Sequence, residues 1–175
     1  GYKICAIDYS GLELASAGHQ LASLEGLTSM RDTVNLGDIP TDMHSMFAYR
    51  LMNRELTEKI TYEQFRANKK LPEYARFRQL AKPINLGFPG GIGYDTMRGL
   101  LAKENIYPKL VVLETAKFEN ELSWKRAKAR KDGYPVRIRR AGQFEYQLVY
   151  DELYSIKQEF LGLYPDLEGF LRDGH

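Results

Sequence analysis

Between Tyr134 and Val149 this 175-residue chain changes its period. Tyr134-Pro-Val-Arg-Ile-Arg-Arg alternates apolar and charged residues, Ala141-Gly142 interrupts, and Gln143-Phe-Glu-Tyr-Gln-Leu-Val alternates again. A period of two puts alternate side chains on opposite faces of a strand. A β-hairpin turning near Ala141-Gly142 is therefore predicted. A second exception is Lys3-Ile-Cys-Ala-Ile-Asp8, a short apolar run ending in a carboxylate, which reads as a buried strand. Elsewhere apolar residues recur every three or four positions, the spacing of a helix that buries one side. The fold class expected is mainly α, with one short strand near the start and a small β-hairpin.

Local signals divide the helical part. Leu12, Leu14, Ala15, Leu21, Leu24 and Leu27 share a rough face, although Gly11 and Gly18 weaken that helix. Residues 31–41 carry turn formers (Asn35, Gly37, Asp38, Pro40) and read as a loop. Thr41 or Asp42 can cap a helix through about Leu51. Thr61-Tyr-Glu-Gln64 has the form of a capping box. After Pro72 a helix carries Tyr74, Phe77 and Leu80 toward Lys82. Pro83, Pro89 and Gly87, Gly90, Gly91 and Gly93 then predict a kink or a fresh start near Pro83. Further helices are expected over 94–104, over 114–131 with Phe118, Leu122 and Trp124 on the buried side, and over 150–163 until Pro165.

Bulk composition bounds the function without naming it. The chain is 43% hydrophobic and 27% charged, with a formal net charge of +2, so total charge does not announce a nucleic-acid binder. Cys5 stands alone and cannot form an intramolecular disulfide. No run of eighteen apolar residues and no basic-then-apolar leader occurs. The chain opens on Gly-Tyr-Lys-Ile without methionine, as expected of a piece cut just before a strand.

Three constellations can carry chemistry. Asp8 at a strand end either caps the helix that follows or meets a divalent cation, since hard cations take carboxylate and carbonyl oxygens. Arg78, Lys82 and Leu86, spaced by four, stack on one helix face with successive members roughly 6 Å apart along the axis. That pitch suits the oxygens of a triphosphate, with Arg as a planar fork and Lys as a point charge. A solvated basic face is the bland alternative. Against it stands the glycine-rich segment Asn85-Leu-Gly-Phe-Pro-Gly-Gly-Ile-Gly93, which would let a ligand approach the backbone. It is neither a P-loop nor a dinucleotide fingerprint, because the spacing fails. His44 alone reads equally as a surface histidine.

Together these segments resemble family A DNA polymerases, the polymerase I and phage polymerase group. Asp8-Tyr-Ser-Gly-Leu-Glu-Leu looks like that family's motif A. Asp42-Met-His44 resembles its Asp-Ile-His element, and Arg78-x3-Lys82-x2-Asn85-x-Gly87 is similar to motif B on the fingers helix. Tyr154-x5-Phe160-x3-Tyr164-Pro165-x4-Phe170-Leu171 is similar to the helices that close the fingers. The resemblance implies a DNA-directed DNA polymerase, with residues 1–30 forming the palm edge and 31–175 the fingers. It implies Asp8 as the catalytic carboxylate on two magnesium ions, helped by the Tyr9 carbonyl. It implies that Tyr9, Ser10, Glu13, His44, Arg78, Lys82, Leu86 and Tyr94 surround the incoming dNTP, with Glu13 as the gate against ribose. Primer-template DNA and the remaining palm, thumb and any exonuclease domain are the implied partners.

Departures from the pattern point to a phage or viral parent acting in the host cytoplasm. Leu86 replaces the usual aromatic residue, Gly90 stands where another aromatic is expected, and residues of about 103–150 look like an insertion. No His-Asp-Glu occurs, so motif C is missing and the isolated chain is expected not to extend a primer. Lys125, Arg126, Lys128, Arg130, Lys131, Arg137, Arg139 and Arg140 are opposed only by Asp132. Of these, Arg126, Lys128, Arg130, Arg137, Arg139 and Arg140 are the expected DNA contacts. The alternatives are a solvated charged face, or a non-catalytic helical nucleic-acid-binding module with no nucleotide site.

Overall fold

A computed structural model describes residues 12–35 and 42–173, without the side chains of residues 12, 13, 170, 172 and 173. The strand expected at 3–8 and the loop segment 36–41 lie outside the described residues. Elements run in the order α1 (Leu12–Glu25), α2 (Ser29–Val34), α3 (Met43–Glu55), α4 (Tyr62–Asn68), α5 (Pro72–Gly87), α6 (Tyr94–Lys103), β1 (Leu110–Ala116), α7 (Glu119–Lys131), β2 (Val136–Gly142), β3 (Glu145–Asp151), α8 (Glu152–Leu163) and α9 (Leu167–Asp173). The described protein is thus mainly helical with a small antiparallel sheet. None of its described helices is long and apolar enough to cross a membrane. The chain divides into two compact units, residues 1–91 with 160–175, and residues 92–159.

The first unit is a helical assembly organised on α3 and α5. Asp42 caps α3, accepting from the Ser45 N–H at 3.2 Å. Thr61 and Gln64 complete the predicted capping box on α4, at 3.2 and 2.7 Å. Phe47, Ala48, Leu51, Phe77, Ala81 and Ile84 are buried where α3 and α5 meet. Phe160 adds a ring edge-on to Phe47 and to Phe88, both at 5.7 Å, and touches Tyr164 at 4.9 Å. Ser29 donates its backbone N–H to Asp166 at 2.9 Å and its hydroxyl to the other carboxylate oxygen, anchoring the start of α2.

One expectation changes here and two are sharpened. Arg31 to Val34, expected as loop, belong to α2. Pro72 starts α5 from its first position, where its missing N–H costs nothing. Pro83 does not restart the helix; α5 runs through it to Gly87, with the Phe88 N–H closing on the Ile84 carbonyl at 3.0 Å. Packing against α3 on both sides of the proline outweighs the one backbone bond Pro83 cannot donate. Gly18 also finds its reason: a Cβ there would meet the Arg31 backbone nitrogen at 3.0 Å, so the glycine lets α1 and α2 touch.

The second unit is a three-stranded antiparallel sheet, ordered β1-β3-β2, with helices around it. The β2–β3 hairpin pairs Val136 with Tyr150 and Ile138 with Leu148; its register shifts after Arg140, so the turn falls on Gln143-Phe144, two residues beyond the predicted place. Leu122 of α7 is buried with Val136 and Leu148, with Ala116, Ala129, Ile138 and Tyr146 around them. Strand β1 was not predicted. Residues 114–116, assigned above to a helix, pair with 146–148 of β3 instead, and α7 starts only at Glu119. Phe118 and Trp124 are exposed at 59% and 62%, not buried as expected. With β1 carrying the sheet edge, Leu122 and Ala129 supply the face α7 needs.

Candidate functional site

Helix α5 holds the first group of candidate residues. Arg78, on its middle turn, is partly buried and donates through Nη2 to Asp42 Oδ2 at 3.2 Å and through Nε to Ser45 Oγ at 3.3 Å. The Ser45 hydroxyl donates to the same carboxylate at 2.7 Å, and Lys69 reaches it at 3.4 Å. Asp42 therefore both caps α3 and fixes the direction of the Arg78 fork.

Burial alone would push the Asp42 carboxyl up. The bonds from Ser45 and the Arg78 guanidinium outweigh it and hold the group at about 2. Because the folded value lies below the ordinary 3.8, this contribution to stability is complete above about pH 4 and is lost as pH falls toward about 2. Asp42→Asn should flatten the acid limb of a stability-versus-pH curve in that window. An unchanged limb would show that the carboxylate is not held this way.

One turn beyond Arg78, Lys82 is exposed and has no ion-pair partner among the described residues. Leu86 follows at 51% exposure. Buried Asn85 donates through Nδ2 to the Met43 carbonyl at 3.0 Å and lies 3.3 Å from His44 Nδ1. With Nδ2 donating, Nδ1 accepts, and a neutral His44 ring carries its proton on Nε2. Asn85 thus ties the start of α3 to α5 and brings His44 onto the same helix pair as Arg78 and Lys82. Sequence reasoning quoted Asn85 in the motif without giving it a role; its spacing from Arg78 was the available signal. A groove of about 430 Å³ runs between α1 and the end of α5, lined by Leu14, Leu21, Asn85, Leu86 and Pro89 among others. Asn85 Oδ1 has no hydrogen-bond partner among the described residues.

Asp8, Tyr9, Ser10 and the Glu13 side chain lie outside the described residues. No group of three or more His, Cys, Asp or Glu side chains able to hold a metal occurs among the described residues.

Tyr94 falls in the second unit, at the start of α6. Its ring lies 4.5 Å from the Arg137 guanidinium, 5.3 Å from Lys157 Nζ and 6.3 Å from the Tyr154 ring. Burial, with Tyr154 beside it, pushes its hydroxyl up to about 12, against the opposing pull of Arg137. The expected DNA-binding cations divide by surroundings. Arg137 is only 14% exposed and donates to Asp151 at 2.6 Å. Arg139 bonds Gln147 Oε1 at 3.1 Å, and Arg140 bonds the carbonyls of Gly142 and Gln143 at 3.0 and 2.9 Å. Arg126 lies 3.8 Å from Glu119, and Arg130 sits over Tyr154 at 5.3 Å. Lys128 and Lys131 are exposed with no ion-pair partner among the described residues.

Asp151 is a residue to which sequence reasoning gave no role. It is fully buried, receives Arg98 and Arg137, and accepts the Leu153 N–H at 3.0 Å as the cap of α8. Its only signal was a carboxylate at the junction of an alternating segment and a helical one. No protein-family model, curated protein or solved structure matches the chain.

Proposed function

We propose that this chain is the nucleotide-gripping fingers part of a family A, phage-like DNA polymerase, which transfers nucleotides to a primer 3′-hydroxyl with release of pyrophosphate. The supporting observation is the tie made by Asn85. It holds His44 against α5, the helix that carries Arg78 and Lys82, so three side chains of the right chemistry for a triphosphate share one helix pair. In this reading Arg78, steadied by Asp42, and Lys82 neutralise phosphate charge. Leu86 offers an apolar surface to the sugar and base. Magnesium would supply activation of the hydroxyl and stabilisation of the leaving group. Its expected ligands begin with Asp8 and Tyr9 and are completed by parts of the parent polymerase beyond this sequence. The polymerase acts on primer-template DNA in the host cytoplasm.

Lys82 is the cleanest probe, because it is exposed and no described residue depends on it. Lys82→Ala should weaken binding of a fluorescent dNTP with magnesium on the order of 10- to 100-fold, the loss of one charge-assisted bond. Its thermal stability should stay within about 0.5 kcal/mol of the parent. Wild-type triphosphate affinity in this variant would remove the reading. It would leave the non-catalytic nucleic-acid-binding module in its place, provided oligonucleotides still bind.

A further inference from the structure

In the second unit, α7 shows an imbalance that the triphosphate reading leaves unused. The helix fully buries only Leu122. At 100° per residue, Trp124, Lys128 and Lys131 fall on the side opposite Leu122, within one narrow stripe. The Trp124 indole is 62% exposed, a large apolar surface left in water. Lys125 lies over the ring at 5.5 Å and is itself held by an ion pair with Glu114. No aromatic ring stacks on Trp124 among the described residues. The cations of this segment are unequally spent. Lys125, Arg126 and Arg137 have carboxylate partners, whereas Lys128 and Lys131 have none among the described residues.

We propose that this outer stripe of α7 binds single-stranded nucleic acid, with an unpaired base stacked on Trp124 and the neighbouring phosphates held by Lys128 and Lys131. Indole stacking takes any base but needs a base face that a duplex hides. The rise of the helix sets Lys128 roughly 6 Å along the axis from Trp124, and Lys131 about 4.5 Å further on. A strand running along the helix therefore meets the aromatic surface first and then two unneutralised charges. This binding mode goes beyond the triphosphate grip and does not depend on it, since none of the three residues belongs to α5.

Trp124 is the only tryptophan in the sequence, so the intrinsic emission of the whole chain reports on this stripe alone. Titration with a short oligothymidylate at low salt should quench that emission saturably, and a duplex of equal length should not. Trp124→Ala, followed by anisotropy of a labelled oligothymidylate, should bind roughly tenfold or more weakly, while Trp124→Phe keeps most of the affinity. Lys128→Ala and Lys131→Ala should each flatten the salt dependence by about 0.7 in the log–log slope. All three positions are exposed, and circular dichroism should show unchanged folding. Binding without quenching, undiminished binding by Trp124→Ala, or equally tight binding of polyglutamate would each overturn the proposal. Loss of oligonucleotide binding with intact dNTP binding, or the reverse in Lys82→Ala, separates the two sites.

Discussion

Replacing Asp151 with alanine should destabilise the 92–159 unit by about 3–5 kcal/mol. The carboxylate is fully buried and receives two guanidinium groups, with Arg137 Nε at 2.6 Å and Arg98 Nη2 on the other oxygen. Both arginines are themselves largely buried, at 14% and 18% exposure. Arg98 is further committed through Nη1, which donates to the Pro108 carbonyl at 2.6 Å. Arg98 Nε and Arg137 Nη2 have no hydrogen-bond partner among the described residues, so Asp151 is the main group compensating this buried positive charge. Asp95 lies 3.8 Å from Arg137, too far for a hydrogen bond and on an exposed side chain. The substitution would leave two cations in a low-dielectric setting and remove the cap on α8. Hydrogen exchange of the β2 and β3 amides as a function of urea reads the unit directly. A triple variant, Arg98→Met with Arg137→Met and Asp151→Leu, should recover much of the loss, because apolar replacement of all partners removes the uncompensated charge. A cost below about 1 kcal/mol for Asp151→Ala would mean that water reaches this cluster.

The second large effect is expected in the other unit. Phe160→Ala should cost about 3–5 kcal/mol, the range for deleting a buried aromatic side chain from a core. Its ring is fully buried and meets Phe47, Phe88 and Tyr164 edge-on. Each such geometry adds to plain area burial, since the positive edge of one ring meets the negative face of another. Phe160→Leu should cost clearly less, because it keeps most of the volume. Hydrogen exchange of α3 and α5 amides would show where the loss falls. Acceleration confined to α8 would contradict a shared core. The Tyr164 hydroxyl, buried beside Phe160, is pushed up by that burial and lacks a hydrogen-bond partner among the described residues. Tyr164→Phe should therefore be tolerated better than most buried changes.

These energetics alter how the basic segment should be probed. Neutralising Arg137 removes a core ion-pair partner as well as a surface charge, so lowered DNA affinity in such a variant would confuse unfolding with lost contact. Arg139 and Arg140 are bound to the hairpin itself, to Gln147 and to the turn carbonyls. Eight cations in a short stretch read as one patch in the sequence. In the fold Arg137 is a buried tie, Arg139 and Arg140 brace the hairpin, Lys125, Arg126 and Arg130 have partners of their own, and Lys128 and Lys131 are left without an ion-pair partner among the described residues.

What the sequence determined by itself was local. Asp42 and the Thr61–Gln64 box act within one turn of chain, so their roles could be read from spacing. The hairpin was legible because β2 and β3 are neighbours whose alternation has a single meaning. Arg78, Lys82 and Leu86 share a face by helical geometry alone. Tertiary structure decided the rest, because the deciding partner lay far along the chain. Leu110–Ala116 is a strand because β3 pairs with it from thirty or more residues away, and as an edge it shows no clean alternation. Pro83 stays inside a helix because α3 packs beside it. Asn85 became the link to His44, and Asp151 the buried anchor of two arginines, only when distant segments met. Local signals carry a helix cap or a turn; burial and charge pairing depend on which segments fold against each other.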